Sequence, residues 1–574
     1  MSWRPTLWAP LPERVELVTG DERHPMVRDE MGWWTAEIQL PPGTDYGFSL
    51  DGDAPLPDPR SPWQPNGIAG LSRTLDHAAF DWTDADFAAV PLADAVIYEL
   101  HIGTFSAEGT FDGAIERLDE LAELGVTHLE VMPVAEFSGD RGWGYDGVDL
   151  FAPHHAYGGP DGLKRLVDAA HARGLAVLLD VVYNHLGPEG NHLPRFGPYF
   201  TSKYATPWGD AVNFDDAGSH EVRRFVVDNA TMWMRDYHVD GLRLDAVHAI
   251  FDQSAVHILE ELSTAAREVA DETGRPRQLI AESDLNDPRL VNPIEEGGYA
   301  LDAVWADDVH HAFHVALTGE EGGYYADFAD ADALARALTD PFVYAGHYSA
   351  FRDRLHGRPA GDLPGDRFVV ALQNHDQVGN RARGERLSHL VSPGRIRIGA
   401  ALLLTSPYVP LLFAGAEWGA SSPFMYFTAH ESPELAEAVR RGRREEFGAF
   451  EWDTDVPDPQ DPATMEASRL DWDERVREPH AGILAWYHDL VALRRRNPAL
   501  RDADRSAATV RHDPDAGWLL LDRGPVSVAV NLGAEAVEVE VEGEVRLAWP
   551  ADLDARDGRT LLPPDGVLVV ERPA

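Results

Sequence analysis

The sequence predicts an α/β fold in which a long alternating region lies between two all-β regions. From about residue 89 to residue 498, strand-like and helix-like stretches alternate, which is typical of a parallel sheet with crossover helices. Residues 1–88 and 499–574 carry short alternating runs separated by proline and glycine, which indicates antiparallel β structure. Several strand-like stretches of the central region end in acids, amides or histidines, so we expect a functional site there.

The N-terminal region is predicted to form a small β domain. Strands are expected at 15–18 and 33–40, with turns at 41–43 and 55–59. Its tryptophans are suited to binding sugar, but packing in a core is the more common role of such residues. The C-terminal region shows a similar pattern, with strands at 517–522 and 537–541.

The central region supplies eight candidate strands and the helices between them. Apolar runs predict the strands at 95–101, 126–133, 175–183, 241–245, 278–282, 303–308, 368–374 and 409–413. Amphipathic or apolar stretches predict helices at 111–125, 161–174, 220–238, 256–273, 396–405 and 480–497. A stretch rich in glycine, proline and aromatic residues, 186–218, is too long for a plain connection.

Composition excludes several classes of protein. The formal net charge is −48 and the chain has no cysteine. Phosphate backbones and anionic membranes would be repelled, so we expect no nucleic-acid partner, no membrane partner and a neutral substrate. The lack of cysteine excludes disulfides and thiolate metal sites, and the N-terminal residues lack the layout of a signal peptide. Both observations favour a cytoplasmic protein.

The stretch 241–248 is the most informative part of the sequence. Leu242 and Leu244 share one face of the predicted strand, and Arg243 and Asp245 share the other. An aspartate beside an arginine favours the ionised form, which suits a carboxylate nucleophile. An isolated pair of this kind is more often a structural ion pair, but three similar strand ends, 180–185, 280–283 and 374–379, favour a functional site.

Together, these four stretches resemble the signature regions of the α-amylase-type glycoside hydrolases. The resemblance implies a (β/α)8 TIM barrel at 89–498, with the site at the C-terminal strand ends and an inserted subdomain near 186–218. It also implies an N-terminal β-sandwich at 1–88, like that of starch-debranching and branching relatives. A C-terminal antiparallel β domain is expected at 499–574.

The resemblance assigns roles to the acids of these stretches. It implies that Asp245 is the nucleophile, that Glu282 is the general acid/base, and that Asp376 stabilises the transition state. Neighbouring parallel strands lie about 4.8 Å apart, so side chains at matched strand ends can reach the separation that a retaining glycosidase needs. The charges of Asp245 and Asp376 should raise the pKa of Glu282.

The same resemblance implies the residues that contact the sugar. His185 and His375 match sugar-hydroxyl donors, Tyr145 matches the tyrosine that stacks on the sugar at the cleaved bond, and Asp180 is expected to orient Arg243. In some relatives the residue at the position of Asn184 coordinates calcium. The sequence offers no compelling set of oxygen ligands, so we expect neither a metal nor a cofactor.

Three further stretches, 305–311, 314–325 and 413–430, are similar to the malto-oligosyltrehalose trehalohydrolases. That likeness implies cleavage of the α-1,4 bond next to a terminal trehalose, in functional pairing with malto-oligosyltrehalose synthase. His248 should reach the trehalose side, with Trp418, Phe424, Tyr426 and Phe427 as aromatic walls. The chain departs from the family at Ala416 and Ala429, where an acid is usual.

Three alternatives remain open at this stage. Within the superfamily, the chain could be a glycogen branching enzyme or a general α-amylase. Outside catalysis, it could be a glucan-binding protein that has kept the barrel. The presence of Asp245, Glu282 and Asp376 argues against the last reading.

Overall fold

The computed structural model describes residues 2–448, 456–555 and 557–573, and all of their side chains except those of 446–448. These ranges form an N-terminal antiparallel sheet, a closed barrel of parallel strands and a C-terminal antiparallel β region. The predicted fold class is therefore confirmed. Within the described ranges, no helix is both long enough and apolar enough to cross a bilayer.

The N-terminal strands form one six-stranded antiparallel sheet. They are β1 (Thr6–Trp8), β2 (Val15–Thr19), β3 (Glu22–Arg28), β4 (Trp33–Ala36), β5 (Asp45–Leu50) and β6 (Ser72–Arg73), in the order β1-β4-β3-β2-β5-β6. Trp8, Trp34 and Phe48 are buried in its core, as the sequence suggested for its tryptophans. The sheet is tied to the barrel, because Trp33 Nε1 donates to Glu221 Oε1 at 3.0 Å.

The barrel consists of eight parallel strands, each within a stretch that the sequence predicts to be a strand. They are β7 (Ile97–Leu100), β8 (His128–Val131), β11 (Ala176–Val181), β14 (Gly241–Leu244), β15 (Gln278–Ala281), β16 (Ala303–Trp305), β19 (Phe368–Ala371) and β20 (Val409–Phe413). β20 pairs with β7 and closes the ring. All eight strands are buried throughout, which explains why they appear in the sequence as mainly apolar runs.

Helices connect the strands and pack outside them. The α-helices are α1 (Ile102–Phe105), α2 (Phe111–Ile115), α3 (Leu118–Leu124), α4 (Gly159–His171), α5 (Leu193–Phe196), α6 (Ser219–Asp236), α7 (Ile258–Thr273), α8 (Asp307–Thr318), α9 (Ala333–Ala337), α10 (His375–Gly379), α11 (Leu387–Leu390), α12 (Pro393–Thr405), α13 (Pro433–Gly448), α14 (Pro462–Ala467), α15 (His480–Arg496) and α16 (Pro498–Arg501). The predicted helix 111–125 is two helices, which meet at Arg117. Gly125, at φ 94°, ends the second one as expected.

Three β-hairpins lie at the C-terminal rim of the barrel. One pairs β9 (Ala135–Glu136) with β10 (Asp149–Pro153), and one pairs β12 (Phe200–Thr206) with β13 (Gly209–Val212) inside the predicted insertion. The third, β17 (Ala345–Ser349) with β18 (Arg354–Gly357), lies between β16 and β19 and was not predicted.

The C-terminal region is a two-layer β structure. Its strands are β21 (Ala508–Asp513), β22 (Trp518–Arg523), β23 (Val526–Asn531), β24 (Val537–Glu540), β25 (Glu544–Trp549), β26 (Arg559–Leu562) and β27 (Val567–Glu571). Five of them form one sheet, and β24 pairs with β26 in another. An apolar core that includes Leu520, Val539 and Leu568 joins the two layers. Ser392, at the start of α12, donates to Asp565 at 2.6 Å and attaches this region to the barrel.

Candidate active site

One buried arginine organises the candidate site. Arg243 lies in β14, and its side chain is 1% exposed. Its Nη1 atom is 3.0 Å from both carboxylate oxygens of Asp180 and 2.8 Å from Oδ1 of Asp245. Its Nη2 atom is 3.2 Å from Oε2 of Glu282. A buried guanidinium is tolerated only with such partners, so this arginine draws three acids from three strands to one point.

The two acids proposed for catalysis follow neighbouring strands at the same level. β14 and β15 are in register, with Leu244 opposite Ala281, so Asp245 and Glu282 each come one residue after that pair. Asp245 also accepts a hydrogen bond from Asn184 Nδ2 to Oδ2 at 2.7 Å. Asp245 therefore accepts a hydrogen bond on each of its two carboxylate oxygens.

A strained backbone turn holds Glu282. The amide of Ala246 donates to Glu282 Oε2 at 2.6 Å. Ala246 has a φ of 39°, in the left-handed region that non-glycine residues seldom adopt. Such strain is concentrated at functional sites, where the surrounding structure must enforce it. Here the strained turn after β14 points the amide of Ala246 at the carboxyl group of Glu282, which follows β15.

The environment of Glu282 favours its protonated form. Burial raises the pKa of Glu282 to about 8, the nearby charge of Arg243 opposes this, and the carboxylates of Asp245, Asp376 and Asp307 raise it further. The two acids named from the sequence therefore contribute, but burial is the larger cause. Asp307 was not anticipated, because the predicted strand 303–308 ends early and Asp307 instead begins α8.

Asp376 lies in the first turn of α10. Strand β19 ends at Ala371, so Asp376 is not the last residue of that strand as the sequence suggested. The side chain of Asn374 caps the helix by accepting from the amides of Asp376 and Gln377, each at 3.1 Å. Asp376 remains exposed, and its Oδ1 accepts from Asn380 Nδ2 at 2.6 Å. The turn thus presents this carboxylate at the mouth of the barrel.

A hydrogen-bonded chain positions Tyr145 beside these acids. Tyr145 donates its hydroxyl proton to Asp180 Oδ2 at 2.6 Å, and the hydroxyl oxygen of Tyr145 lies 2.8 Å from His375 Nε2. His375 Nδ1 bonds to Glu99, which lies in β7. Burial lowers the pKa of His375, but Glu99 outweighs that effect and raises it. Glu99 was missed in the sequence, where it is one acid within an apolar strand.

His185 is placed at the site, but neither of its ring nitrogens points into open space. Nδ1 bonds to Asn184 Oδ1, and Nε2 is 3.0 Å from the carbonyl oxygen of Tyr145. Its ring stacks on Trp208 with centroids 4.1 Å apart. Trp208 is at the tip of the β12–β13 hairpin and is 49% exposed, so the insertion supplies an aromatic side chain beside the site. The sequence indicated a subdomain here but not this residue.

Two of the residues expected on the trehalose side are accessible. His248 is exposed, and its short turn is fixed to the proposed acid because the amide of Val247 donates to the Glu282 carbonyl at 3.0 Å. Tyr426 is half-buried and packs edge-on against Trp143, with ring centroids 5.1 Å apart.

The assignment of Trp418 as a substrate-binding residue is wrong. Its side chain is 0% exposed, and it packs on Trp472 at 5.1 Å. Phe424 and Phe427 are each 1% exposed, so they are not walls of an open site either. The physical reason is that β20 is followed at once by a tight turn, which carries the next aromatic residue into the core rather than over the barrel mouth.

The described residues contain one group of three potential metal ligands, Glu136, His154 and His155. Glu136 Oε1 lies 3.1 Å from His154 Nδ1 and 2.7 Å from His155 Nδ1, and Oε2 accepts from the His155 amide at 2.7 Å. The two imidazoles therefore satisfy the carboxylate as hydrogen-bond donors. The group has no direct contact with Asp245 or Glu282, and nothing in the proposed chemistry requires it.

A barrel of eight parallel strands with paired carboxylates at its C-terminal ends is the arrangement of a glycoside hydrolase, and the family match identifies the α-amylase type. The family described as alpha amylase, catalytic domain, matches residues 77–204, and a domain of unknown function, DUF3459, matches residues 503–569. The chain is 52% identical to a malto-oligosyltrehalose trehalohydrolase from Arthrobacter ramosus, over 96% of each chain. It is 49% identical to one from Rhizobium sp. (strain M-11), over 97% of this chain and 96% of that one. The chain belongs to the malto-oligosyltrehalose trehalohydrolase family.

Two solved structures share the fold of this chain. A protein from Salmonella typhimurium, whose structure was solved as a candidate alpha amylase, has a TM-score of 0.92 and 40% identity, covering 99% of this chain and 97% of that chain. The apo pullulanase from Paenibacillus barengoltzii has a TM-score of 0.73 at 21% identity and covers 100% of this chain and 93% of that chain. The pullulanase likeness concerns the fold alone.

Proposed function

We propose that this protein is a retaining glycoside hydrolase that cleaves the α-1,4-glucosidic bond next to the terminal trehalose of malto-oligosyltrehalose. The products are trehalose and a malto-oligosaccharide. The observation that carries this proposal is the close similarity of nearly the whole chain to malto-oligosyltrehalose trehalohydrolases, combined with two carboxyl groups, those of Asp245 and Glu282, that contact one buried arginine.

In the first step Asp245 attacks the anomeric carbon of the sugar at the cleaved bond. Glu282 gives its proton to the glycosidic oxygen, so that the carbon–oxygen bond breaks and trehalose leaves. A covalent glycosyl ester on Asp245 remains. In the second step Glu282, now a carboxylate, takes a proton from water as the water attacks the same carbon, which restores the Asp245 carboxylate.

The surrounding side chains fit these two roles. The pKa of Glu282 is raised to about 8, so this acid is protonated at neutral pH and has a proton to donate. Asp376, exposed at the barrel mouth, is suited to bind ring hydroxyls and to stabilise the positive charge of the transition state. Tyr145 provides a flat face for the sugar ring, and Asp180 and His375 hold it in place. Arg243 contacts both Asp245 and Glu282 and thereby fixes their positions relative to each other.

The trehalose part is placed on the side of Glu282, because the acid must reach the leaving oxygen. His248 is the accessible side chain on the turn fixed to Glu282, and it is suited to hydrogen-bond there. Tyr426 is half-buried on the loop after β20, on the far side of the barrel from Glu282, so the proposal gives its ring a contact with the glucan part of the substrate rather than with the trehalose expected from the sequence. We place the reaction in the cytoplasm, in sequence with malto-oligosyltrehalose synthase, which would form the substrate.

The first prediction compares two substrates of equal length. Trehalose has no reducing end, and its 1,1 linkage has a different shape from maltose, so a site matched to it leaves polar groups unpaired against plain maltose. Maltotriosyltrehalose should therefore be cleaved with a kcat/KM at least about tenfold above that of maltopentaose. Chromatography should detect trehalose and maltotriose, and NMR should detect the new reducing end first as the α anomer.

Other outcomes of this assay would contradict the proposal in distinct ways. Equal rates on the two substrates would define a general α-amylase. New α-1,6 branches on amylose would define a branching enzyme, the activity named for a Xanthomonas campestris relative at 28% identity. Binding of glucan with no turnover would define a glucan-binding protein.

A further inference from the structure

A large cleft lies beside the candidate site and has one wall outside the barrel. Its volume is about 590 Å³, within the range of about 300–1,000 Å³ that is common for ligand pockets. The N-terminal segment 66–69 forms one wall. Gly139–Arg141 in the β9–β10 hairpin and 429–440 after β20 form the others, with His155 and Gln460 between them.

The topology of the barrel places this cleft opposite Glu282. In the ring of strands, β7 lies across from β15, which carries Glu282, and the neighbours of β7 are β8 and β20. The loops that follow β8 and β20 line the cleft. Since the proposed acid protonates the leaving oxygen, trehalose lies on the β15 side and the retained glucan chain extends toward β8 and β20. The cleft is on the path of that chain.

The cleft adjoins the site across a wall of loops that contact one another. His430 lines the cleft, and its Nε2 atom is 4.0 Å from Oδ2 of Asp146, the residue after Tyr145. On its other side His430 Nδ1 is 3.3 Å from Glu189 Oε2, and Glu189 also accepts from the amide of Ser432 at 2.6 Å. These contacts join the loops after β8, β11 and β20 into a wall between the cleft and the sugar expected on Tyr145.

The N-terminal wall is built rigidly. Gln64 is fully buried and donates from Nε2 to the carbonyl oxygens of Gly67 and Gly70, each at 3.2 Å, while Ser61 donates to its Oε1 at 2.7 Å. Ile68 packs against Gly190, where even a Cβ atom would come within 2.6 Å of the isoleucine. A segment held in this way can form a binding wall without being ordered by the ligand, which lowers the entropic cost of binding.

The chemistry of the walls suits a neutral polyhydroxyl chain. The two arginines of the cleft are neutralised, since Arg141 Nη1 is 2.7 Å from Asp140 and Arg440 Nε is 2.9 Å from both oxygens of Asp458. This leaves little positive charge to hold an anion. Asn66 is exposed in the cleft and offers an amide donor and an acceptor.

We propose that this cleft is a distal subsite for the glucan part of the substrate, and that the N-terminal segment 66–69 contributes to chain-length preference. This inference rests on the proposed function. It assigns the N-terminal domain a direct part in substrate binding. Short substrates, which end before the cleft, should gain nothing from it.

The test measures kcat/KM for maltosyltrehalose and for maltopentaosyltrehalose. In the unaltered enzyme the longer substrate should be preferred. Ala69→Trp fills the cleft from an exposed position, and Asn66→Ala removes an amide from its wall. Each variant should lower the ratio of kcat/KM for the long substrate to kcat/KM for the short one by about fivefold, which for Asn66→Ala is the effect of one hydrogen bond. Ala54→Trp, at an exposed position of the same domain outside the cleft, is the matched control and should leave the ratio unchanged.

Calorimetric binding of maltohexaose separates the inference from the function. In a Glu282→Gln background, adding Ala69→Trp should weaken maltohexaose binding and adding Ala54→Trp should not. If the enzyme releases trehalose but neither the ratio nor this binding responds to Ala69→Trp, the cleft proposal is overturned and the function stands. If no substrate yields trehalose while maltohexaose binding still depends on Ala69, the function falls and the glucan subsite stands.

Discussion

At the scale of single residues, the site depends on how Arg243 distributes its hydrogen bonds. One guanidinium contacts Asp180, Asp245 and Glu282. Asp245 and Glu282 each accept one further hydrogen bond, from the Asn184 side chain and from the amide of Ala246. Glu282 is also close to other acids, and its pKa is raised to about 8 chiefly by burial. The same arginine thus serves one carboxyl suited to nucleophilic attack and one suited to proton donation.

The proposed nucleophile and acid give the second prediction. Asp245→Asn and Glu282→Gln keep the shape of each side chain but remove the attacking carboxylate or the transferable proton. Each should reduce kcat by at least about a thousandfold, or about 4 kcal/mol of transition-state stabilisation. Steady-state kinetics measure this, and circular dichroism checks the fold. Retention of a tenth of the activity by either variant would remove that residue from its role.

The third prediction concerns Asp307, which raises the pKa of Glu282. Asp307→Asn removes this charge, so the pKa of Glu282 should fall. Since Glu282 must be protonated to act as an acid, activity should then be lost at lower pH, and the alkaline limb of the kcat/KM profile should move to lower pH. Asp287→Asn, whose carboxylate is paired with Arg289, is the control. An unmoved limb in Asp307→Asn would show that the two carboxyls are not coupled.

At the scale of elements, the sequence predicted the position of every barrel strand, because each strand is buried on both faces and therefore consists mainly of apolar residues. It placed strand ends less well. The predicted strands 303–308 and 368–374 stop at Trp305 and Ala371, since helices α8 and α10 begin a few residues later. Acidic residues in the first turn of each helix, Asp307 and Asp376, suit helix N-termini and were mistaken for strand ends.

The site was predictable to the extent that its residues lie in strands or next to them. Arg243 and Asp245 are two residues apart, so their shared face follows from strand geometry alone. Glu99 and Trp208 gave no local signal, because their roles depend on contacts with His375 and His185, which are distant in sequence. The prediction for Trp418 was wrong for the opposite reason. Its residue type suggested a platform for a sugar ring, whereas the path of the chain after β20 buries it.

The fourth prediction tests the spacing of two strands. A Cβ atom on Gly241 would lie 2.3 Å from the Gln278 carbonyl oxygen, so Gly241→Ala must push β14 away from β15. Overpacking of this kind costs about 1–3 kcal/mol of stability, and here it should also separate Asp245 from Glu282 and lower kcat. Gly442→Ala in α13, with no atom within 4 Å of the added Cβ, is the control and should not lower the melting temperature. Wild-type kcat in Gly241→Ala would show that the strand spacing does not set the geometry of the acids.

At the scale of the whole molecule, the two flanking β regions are attached to the barrel by specific polar contacts. Trp33 bonds to Glu221 on α6, Arg60 pairs with Asp228 at 2.8 Å, and Ser392 on α12 bonds to Asp565. The N-terminal contacts hold segment 66–69 beside the barrel mouth, which allows a domain far from the catalytic acids in sequence to take part in binding the glucan chain.

The fifth prediction follows from the charge of the whole chain. There are 97 acidic residues and 49 lysines and arginines, so even complete pairing leaves 48 acids without a basic partner. Their mutual repulsion destabilises the compact state, and salt screens it by shortening the Debye length from about 30 Å at 0.01 M to about 8 Å at 0.15 M and about 3 Å at 1 M. The melting temperature, measured by calorimetry in sodium chloride, should therefore rise with salt, most steeply at the low end. Sucrose at matched osmolality should not reproduce the steep part, because it acts by exclusion from the surface rather than by screening. A flat or falling response would mean that the excess acids lie too far apart to repel one another.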